Sequence, residues 1–205
     1  MQRCRIGLLM IRAMALAALL GLASPASAQR DAPASSFVRN TTTQLVTIVN
    51  SASTAQEMHH QLEQIIDSSV DVDGLGRFCL GRFWDSATPD QRRDYLIAFR
   101  SVLATKIASH LGEYRGVRLT IGQVRTSAGT EIVGSTIERA GAPSTEIDWV
   151  IGTTADGNSR IVDLLSQGIS LRQTQTSDFR AYLAQHNYSI QNLIDGLRLL
   201  VAASR

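Results

Sequence analysis

The sequence has little cysteine, little proline and few long apolar runs. Its 205 residues include two cysteines and four prolines, and after residue 28 no segment approaches the roughly 20 apolar residues of a membrane-spanning helix. Cys4 lies within the first 28 residues, so Cys79 has no partner for an intramolecular disulfide once they are removed. With 44% hydrophobic and 19% charged residues, the chain is neither disordered nor collagen-like, and we expect a globular core without a disulfide.

The first 28 residues have the composition of an export signal. Arg3, Arg5 and Arg12 precede an apolar run at residues 13–23, and Ala26-Ser27-Ala28 follows as a small-x-small cleavage sequence. This pattern predicts a cleavable secretory signal peptide. Its removal takes away three basic residues and leaves 17 Lys and Arg against 18 Asp and Glu, so the formal charge changes from +2 to −1. Nucleic-acid binding needs a dense positive surface and is therefore not expected.

Motifs of common enzymes and metal sites are absent from the sequence. It contains no GxSxG or SxxK serine motif. His59 and His60 are adjacent and point about 100° apart on a helix, while His110 and His186 have no metal-ligand spacing around them. Cys79 is flanked by apolar residues, which favours a buried structural thiol over a catalytic one. No catalytic residue, metal ion or cofactor is predicted.

Two carboxylates on predicted strands are the remaining candidates for a general base. Asp148 alternates with Ile147 and Trp149, which places it on the outer face of the sheet. Asp163 is the better candidate because it is predicted to share a face with Ile161 and Leu165. No partner residue is predicted beside Asp163, so an enzyme is an alternative and not the main prediction.

Arginines and aspartates are interleaved near the middle of the chain. This pattern has two interpretations, a basic patch for anionic headgroups or an acidic partner, and a mixed solvated surface, of which the second is favoured. The arginines are Arg77, Arg82, Arg92 and Arg93, and the acids are Asp85, Asp90 and Asp94.

Helical periodicity is found at both ends of the chain. Residues 29–36 predict a loose, disordered tail, with order expected from Phe37. Thr54 with Glu57, and Asp71, predict the N-caps of a second and a third helix. The run Thr88-Pro89-Asp90-Gln91 is the strongest start signal, and the apolar stripe after it predicts a long central helix. Residues 177–185 and 189–203 predict two C-terminal helices.

From Gly116 the apolar period changes to two, which predicts antiparallel strands. Asp156-Gly157 predicts a tight hairpin with two positive-φ residues, and the last strand is expected to run from residue 160 to residue 171 with a bend at Gly168. The fold class is therefore α+β, a curved four-stranded antiparallel sheet with N-terminal and C-terminal helices packed on one face. Residues 37–205 are predicted to form a single domain.

Three segments together resemble one known family. Residues 80–92, LGRFWDSATPDQR, are similar to the LGRYW..ATPEQR signature of the MlaC/toluene-tolerance family. Residues 111–116, LGEYRG, resemble the family's helix leading into YxG, and residues 167–179, QGISLRQTQTSDF, resemble its EGVSLxxTYRSEF. The chain departs from the family at Ser159-Arg160, where Trp-Lys is usual, and at Gln175, which replaces the Tyr of TYRS.

The resemblance implies a non-enzymatic lipid carrier of the periplasm. Such a protein encloses phospholipid acyl chains in an apolar cavity between sheet and helices. It exchanges them with an outer-membrane lipoprotein complex and an inner-membrane ABC transporter that bears an MCE-domain ring, and so maintains outer-membrane lipid asymmetry. One branch of the family is associated with hopanoid biosynthesis, so a hopanoid or another lipid is an alternative cargo. A small-molecule enzyme on a cone-shaped α+β fold, or an interaction module with a filled core, remains a further alternative.

Periodicity selects the residues expected to line the lipid cavity. They are apolar side chains on the inner faces of the strands and of the long helix, with two aromatic residues at the expected mouth. The set is Phe83, Trp84, Phe99, Leu103, Ile107, Ile121, Val133, Ile137, Trp149 and Ile151.

Overall fold

The computed structural model describes residues 32–52, 54–111, 118–127 and 129–204, except for the side chains of Val49, His110 and Leu111. The predicted signal peptide, residues 29–31 of the predicted tail and residues 112–116 of the second family segment lie outside these ranges. The described residues form seven helices and five strands. They are α1 Pro33–Ser51, α2 Ala55–Ser69, α3 Val72–Leu80, α4 Phe83–Ser86, α5 Pro89–Leu111, β1 Arg118–Ser127, β2 Thr130–Glu138, β3 Thr145–Thr153, β4 Ser159–Ser166, β5 Ile169–Ser170, α6 Leu171–Gln185 and α7 Ile190–Ala203.

Side-chain caps begin the helices where the sequence predicts them. The Thr54 hydroxyl accepts a hydrogen bond from the Glu57 amide at 3.1 Å, and the Asp71 carboxylate accepts one from the Gly74 amide at 3.0 Å. At the start of α5 the box is reciprocal, since Gln91 N donates to Thr88 Oγ1 and Thr88 N donates to Gln91 Oε1. These three predicted starts are confirmed, because each cap satisfies amides that the first helical turn leaves unpaired.

The first helix begins earlier than the sequence predicts. Residues 33–36 were expected to belong to a disordered tail, but α1 starts at Pro33, a residue whose fixed φ suits the first helical turn. Ala34 is fully buried and Ser35 is nearly so. Small residues at these positions allow the backbone to pack closely, and their polarity pattern alone had suggested a loop.

The sheet is an open antiparallel meander in the order β1-β2-β3-β4-β5. The α+β class is confirmed, but the sheet has five strands and not four. The expected single strand from residue 160 to residue 171 reverses at Gln167 and Gly168, which both have positive φ, so that Ser166 pairs with Ile169. Two consecutive positive-φ residues form a tight hairpin and not a bend.

The hairpin predicted at Asp156-Gly157 is also different. Only Gly157 has a positive φ there, and the loop contains five residues between the paired Thr153 and Ser159. The Asp156 carboxylate accepts hydrogen bonds from the side chains of Thr154 and Asn158, which hold this longer loop. Asp156 thus stabilises the loop through its side chain and not through its backbone conformation.

Apolar side chains of the described residues form two clusters. The helical cluster is built by α2, α3, α5, α6 and α7, with Tyr95, Phe99 and Phe179 in mutual ring contact at its centre. The sheet cluster is built by the inner face of the sheet and the first half of α1. Helix α5 packs on α2, α3 and α7, so it is central to the helical cluster, as the sequence predicts.

The two clusters are connected through β4. At the end of α2, Val70 forms a parallel bridge with Ile161, and the Asp71 amide donates to the Ile161 carbonyl at 3.1 Å. Helix α6 packs on the same strand. Strand β4 is therefore the element on which helices from both ends of the chain meet the sheet.

Asp163 holds the turn between β4 and α6. Its carboxylate accepts hydrogen bonds from the amides of Leu164 and Arg172 at 2.8 and 3.1 Å and from the Ser170 hydroxyl at 2.6 Å. The predicted face is confirmed for Leu165, which lies two residues from Asp163 in an unbroken register. It is wrong for Ile161, because a bulge between β3 and β4 pairs Asp163 with Val150 and takes it off the face of Ile161. The residue is 5% exposed, and both of its carboxylate oxygens accept hydrogen bonds from the turn itself. Asp148, in contrast, lies outward as predicted and pairs with Arg125 at 2.8 Å.

Cys79 is buried in the helical cluster, as predicted. Burial raises the pKa of its thiol from 9.0 to about 11. The neighbouring Tyr95 is fully buried, donates its hydroxyl to the Gly76 carbonyl at 3.0 Å, and also has a pKa raised by burial. Both side chains are held in their neutral forms by the core around them.

Replacement of Asp163 by Ala will destabilise the protein strongly. The change leaves two buried amides and a hydroxyl without their acceptor, so we expect the free energy of unfolding to fall by about 3 kcal/mol. Urea unfolding measures the effect. Asp148→Ala, on the neighbouring strand, is the matched control and should cost less than about 1 kcal/mol because its ion pair is exposed. Equal costs for the two variants would show that Asp163 does not hold the turn.

The buried thiol makes stability depend on alkaline pH. The unfolded thiol ionises above its ordinary pKa of 9.0, while the folded thiol stays protonated up to about 11. Stability contributed by this group is therefore complete below pH 9 and is lost as the pH rises from 9 to 11, by about 3 kcal/mol for a shift of two units.

Urea unfolding at pH 8 and pH 11 will measure this loss, with Cys79→Ala as the control. Tyr95 contributes a loss of the same sign at alkaline pH in both proteins, so the difference between the two pH dependences isolates the thiol. Identical pH dependences for the two proteins would contradict the assignment.

Candidate functional site

The ten predicted lining residues do not form one group, because nine of them are divided between the two clusters. The helical cluster takes five and the sheet cluster takes four. They are Phe83, Trp84, Phe99, Leu103 and Ile107 in the first, and Ile121, Val133, Trp149 and Ile151 in the second. Ile137 belongs to neither; it is half-buried and pairs with Leu119 and Thr145 on the adjacent strands.

The inner face of the sheet is apolar, and the polar atoms on it are hydrogen-bonded. Val133 is fully buried and lies opposite Trp149 in the register of β2 and β3. The Trp149 indole donates to Ser135 Oγ at 2.9 Å, and Ser135 Oγ donates to the Ile147 carbonyl at 3.1 Å. This chain satisfies the polar groups within the sheet, so the face offers aliphatic and aromatic surface to whatever packs on it.

Helix α1 covers part of this face, and the sequence predicts the helix from Phe37 but not its first turn at residues 33–36. Ala34 and Val38 are fully buried in the sheet cluster, and Phe37 packs against it. The spacing of Ala34, Phe37 and Val38 is helical, but a small residue at the first of these positions gives a weak signal. The sequence therefore predicts residues 33–36 as tail and the helix only from Phe37.

On the helical side, Phe99 differs from the two residues that follow it on the same helix face. Phe99 is 2% exposed and lies between the rings of Tyr95 and Phe179, at centroid distances of 5.7 and 6.2 Å. It is a core residue. Leu103 and Ile107 are only partly buried and pack against the edge of the cluster, so they retain surface that a ligand would contact.

Phe83 and Trp84 lie on the short helix α4, against the helical cluster and not against the sheet cluster. Phe83 stacks on Tyr188 at 6.0 Å. Trp84 lies beneath the Arg92 guanidinium at 5.3 Å, and Arg92 Nε donates to the Trp84 carbonyl. Both rings are half-buried. The structure thus separates the two predicted mouth residues from the sheet residues of the same predicted site.

The two clusters adjoin along α1 and at the end of α2. Ile48 and Leu45 of α1 pack in the helical cluster, whereas Val38 and Phe37 of the same helix pack in the sheet cluster. Val70 packs against both. Each cluster also has half-buried aliphatic side chains packed against it: Leu45, Met58, Leu103 and Ile107 on the helical side, and Ile121, Val124, Ile147 and Leu164 on the sheet side.

Two depressions on the surface of the described residues lie between helices. One, of about 450 Å³, lies between α1 and α2, and its lining includes the polar side chains Thr47, Gln61 and Gln64. The other, of about 460 Å³, lies between α3 and α6, and its lining includes Arg77 and Phe78. Neither depression is lined by a residue of the sheet, so the predicted contact of sheet residues with a ligand stays a prediction.

Other chemistry is sparse in the described part of the chain. His59 hydrogen-bonds to Thr105 at 3.3 Å, and His186 bonds to the Tyr182 carbonyl and stacks on its ring. Within residues 32–52, 54–111, 118–127 and 129–204, no three His, Cys, Asp or Glu side chains are placed to hold a metal ion. None of the helices in these ranges has the length and hydropathy of a membrane span.

Comparison with known proteins identifies relatives of this chain. The family model described as MlaC protein matches residues 39–199. A phospholipid-binding protein from Ralstonia solanacearum, solved in complex with a phospholipid, has a similar structure with a TM-score of 0.72 and 21% sequence identity. The match covers 84% of this chain and 99% of that one.

The family match spans most of the described helices and all five strands, including the segment of residues 80–92 that resembles the family signature. The fold match likewise covers nearly the whole of the other protein. Sequence and fold therefore agree, and the chain belongs to the MlaC family.

Proposed function

We propose that this protein is a periplasmic carrier that holds phospholipid acyl chains where the helical cluster and the sheet cluster adjoin. The observation that carries the proposal is the fold match, over 84% of the chain, to a phospholipid-binding protein solved with a bound phospholipid. The membership of the MlaC family supports the same function. In its most general form, the conclusion is that the protein binds and transports lipid and does not catalyse a reaction.

The chemistry of the described side chains fits this role. Half-buried aliphatic side chains pack against each of the two clusters, and the Trp149 and Ser135 polar atoms are hydrogen-bonded within the sheet. Asp163, the best candidate for a general base, is held by structural hydrogen bonds. An acyl chain is recognised by apolar surface alone, and these residues offer that surface.

A carrier is needed because a lipid does not cross water unaided. Each CH₂ group taken out of water contributes about 0.8 kcal/mol, so an acyl chain of roughly 16 carbons prefers an apolar environment by about 13 kcal/mol. The carrier must match the bilayer closely in this preference, because a much tighter site would not release its cargo. Partly buried aliphatic residues such as Leu103 and Ile121 suit a site of this intermediate kind.

The cellular location and the partners also belong to the proposal. Export by the signal peptide at residues 1–28 would place the carrier in the periplasm. There it would exchange lipid between an outer-membrane lipoprotein complex and an inner-membrane ABC transporter with an MCE-domain ring, and so maintain outer-membrane lipid asymmetry. Support for these partners is the family membership.

Lipid content measures the proposed function directly. We expect the protein purified from a Gram-negative periplasm to carry about one phospholipid by native mass spectrometry, and a hopanoid mass would instead identify the alternative cargo. A protein that stays free of lipid, also after incubation with phospholipid vesicles, would contradict the carrier function.

Two substitutions test the location of the site. Leu103→Asp and Ile121→Asp place a charge among the proposed acyl contacts and should reduce co-purified lipid at least tenfold, since a carboxylate is costly to bury against apolar groups. Ile97→Asp is the matched control, because Ile97 lies on the same helix as Leu103 and is 56% exposed. It should keep its lipid.

Thermal unfolding of each variant shows whether it is folded, and Leu103→Asn and Ile121→Asn replace any aspartate variant that is not. Lipid retention equal to that of the control would exclude these residues from the site. Val133→Asp is less suitable for this test because Val133 is fully buried, and the charge would destabilise the sheet cluster itself.

A further inference from the structure

A surface on α3, α4 and α6 combines aromatic rings with arginines, and the proposed carrier function uses none of these arginines. We call it the arginine–aromatic surface and define it by Arg77, Phe78, Arg82, Trp84, Arg172 and Arg180. Four of these residues line a single depression of about 460 Å³ between α3 and α6, namely Arg77, Phe78, Trp84 and Arg180. Arg172 joins these four through its contact with the Phe78 ring, and Arg82 follows Gly81, which also lines the depression.

The aromatic part of the surface is accessible. Phe78 is 43% exposed although it lies on a helix whose opposite side, at Cys79 and Leu80, is almost fully buried. The Arg172 guanidinium lies over the Phe78 ring at 4.2 Å. Within three residues of Arg172 in the chain, Ile169 is 64% exposed and Leu171 is 47% exposed, so exposed aliphatic side chains lie close in sequence to the arginine that covers Phe78.

The charges of the surface are largely uncompensated. Arg77, Arg82 and Arg180 have no salt bridge to any carboxylate in the part of the chain that the structure describes. Arg172 lies 3.6 Å from the buried Asp163, and Asp85 is the one carboxylate that lines the depression.

Arginines elsewhere on the helices are paired. Arg93 contacts Asp90 and Asp94, and Arg100 contacts Asp67 at 2.8 Å. The sequence pattern had favoured a mixed solvated surface for all four arginines of residues 77–93. The structure confirms this for Arg93, and Arg92 is held by backbone carbonyls of α4, but Arg77 and Arg82 belong to the uncompensated set.

We infer that the arginine–aromatic surface docks on the surface of a bilayer that contains anionic phospholipids. Guanidinium groups bind phosphate through paired hydrogen bonds, and aromatic side chains favour the depth of the headgroups. Exposed aliphatic residues beside them insert into the boundary of the acyl region. An acidic protein partner would use the arginines but would give no reason for the exposure of Phe78, Ile169 and Leu171 together.

Docking of this kind deepens the proposed carrier function, on which its biological purpose rests. A protein that loads or unloads lipid gains from a surface that keeps it at the membrane while exchange takes place. We expect this interaction to be weak for two reasons. Salt screens the attraction between basic residues and an anionic membrane within a Debye length, and the exposed apolar area is small.

Vesicle flotation tests the inference. The full mature chain is mixed with vesicles of phosphatidylcholine alone, or of equal parts of phosphatidylcholine and phosphatidylglycerol, at low salt. We expect binding to the anionic vesicles only. The double variant Arg77→Gln/Arg180→Gln should bind about 30-fold more weakly, the change expected for the loss of two basic residues at a charged membrane. Arg93→Gln/Arg118→Gln removes the same charge from exposed positions outside the surface and should bind as the wild type does.

A second variant tests the apolar part without changing the charge. Phe78→Ser should weaken binding to the anionic vesicles several-fold, whereas Leu199→Ser, at a residue that is 70% exposed on α7, should not. Wild-type protein that fails to bind anionic vesicles would overturn the inference, and so would equal binding by the arginine double variant and its control. In the first case, the surface would remain a candidate for an acidic protein.

Failure of the docking and failure of the carrier function are distinguishable. The lipid content of the Arg77→Gln/Arg180→Gln variant should equal that of the wild type, because its substitutions lie outside both apolar clusters. If the wild-type protein binds anionic vesicles but never carries lipid, the proposed function is contradicted and the inferred docking is still supported. Loss of lipid from the double variant would contradict the separation of the two sites.

Discussion

The carboxylate of Asp163 is the interaction on which the relation of sheet and helices depends. It accepts hydrogen bonds from the amides of Leu164 and Arg172 and from the Ser170 hydroxyl, and so fixes the end of β4, the short β5 and the first turn of α6. Because α6 carries Phe179 into the helical cluster, the position of that core relative to β4 follows from this turn. Asp163, which is a candidate general base in the sequence, thus holds the turn that connects the sheet to α6.

The apolar side chains form two clusters and not a single core. Helix α1 belongs to both clusters, and Val70 contacts both. Such a fold has an internal boundary, along α1 and at the end of α2, where apolar side chains of one cluster adjoin those of the other. A lipid chain placed at this boundary would extend the packing that each cluster already has, which is the physical reason for assigning the carrier site there.

The sequence predicts local structure well where one residue acts on its near neighbours. Thr54, Asp71 and Thr88 cap helices because a side chain reaches an amide only three residues away, and that distance is visible in the sequence. The alternation of β3 likewise predicts that Asp148 lies outward, as it does in the Arg125 ion pair. The sequence fails where the outcome depends on a distant partner. The bulge that turns Asp163 away from Ile161 depends on pairing with β3, and the burial of Ala34 depends on the sheet beneath it. The predicted lipid site combined Phe99 with Trp149 for the same reason, since periodicity shows which side chains are inward but not which cluster they enter.

The two tryptophans of the chain lie in different clusters. Trp149 is 7% exposed and hydrogen-bonded inside the sheet cluster, while Trp84 is half-buried at the edge of the helical cluster beneath a guanidinium. Their fluorescence emission therefore differs in colour, because an indole in an apolar interior emits at shorter wavelength than one that contacts water. The protein carries its own pair of optical reporters, one for each half of its interior. Removing either indole leaves a signal that follows the other half alone during unfolding or on contact with a membrane.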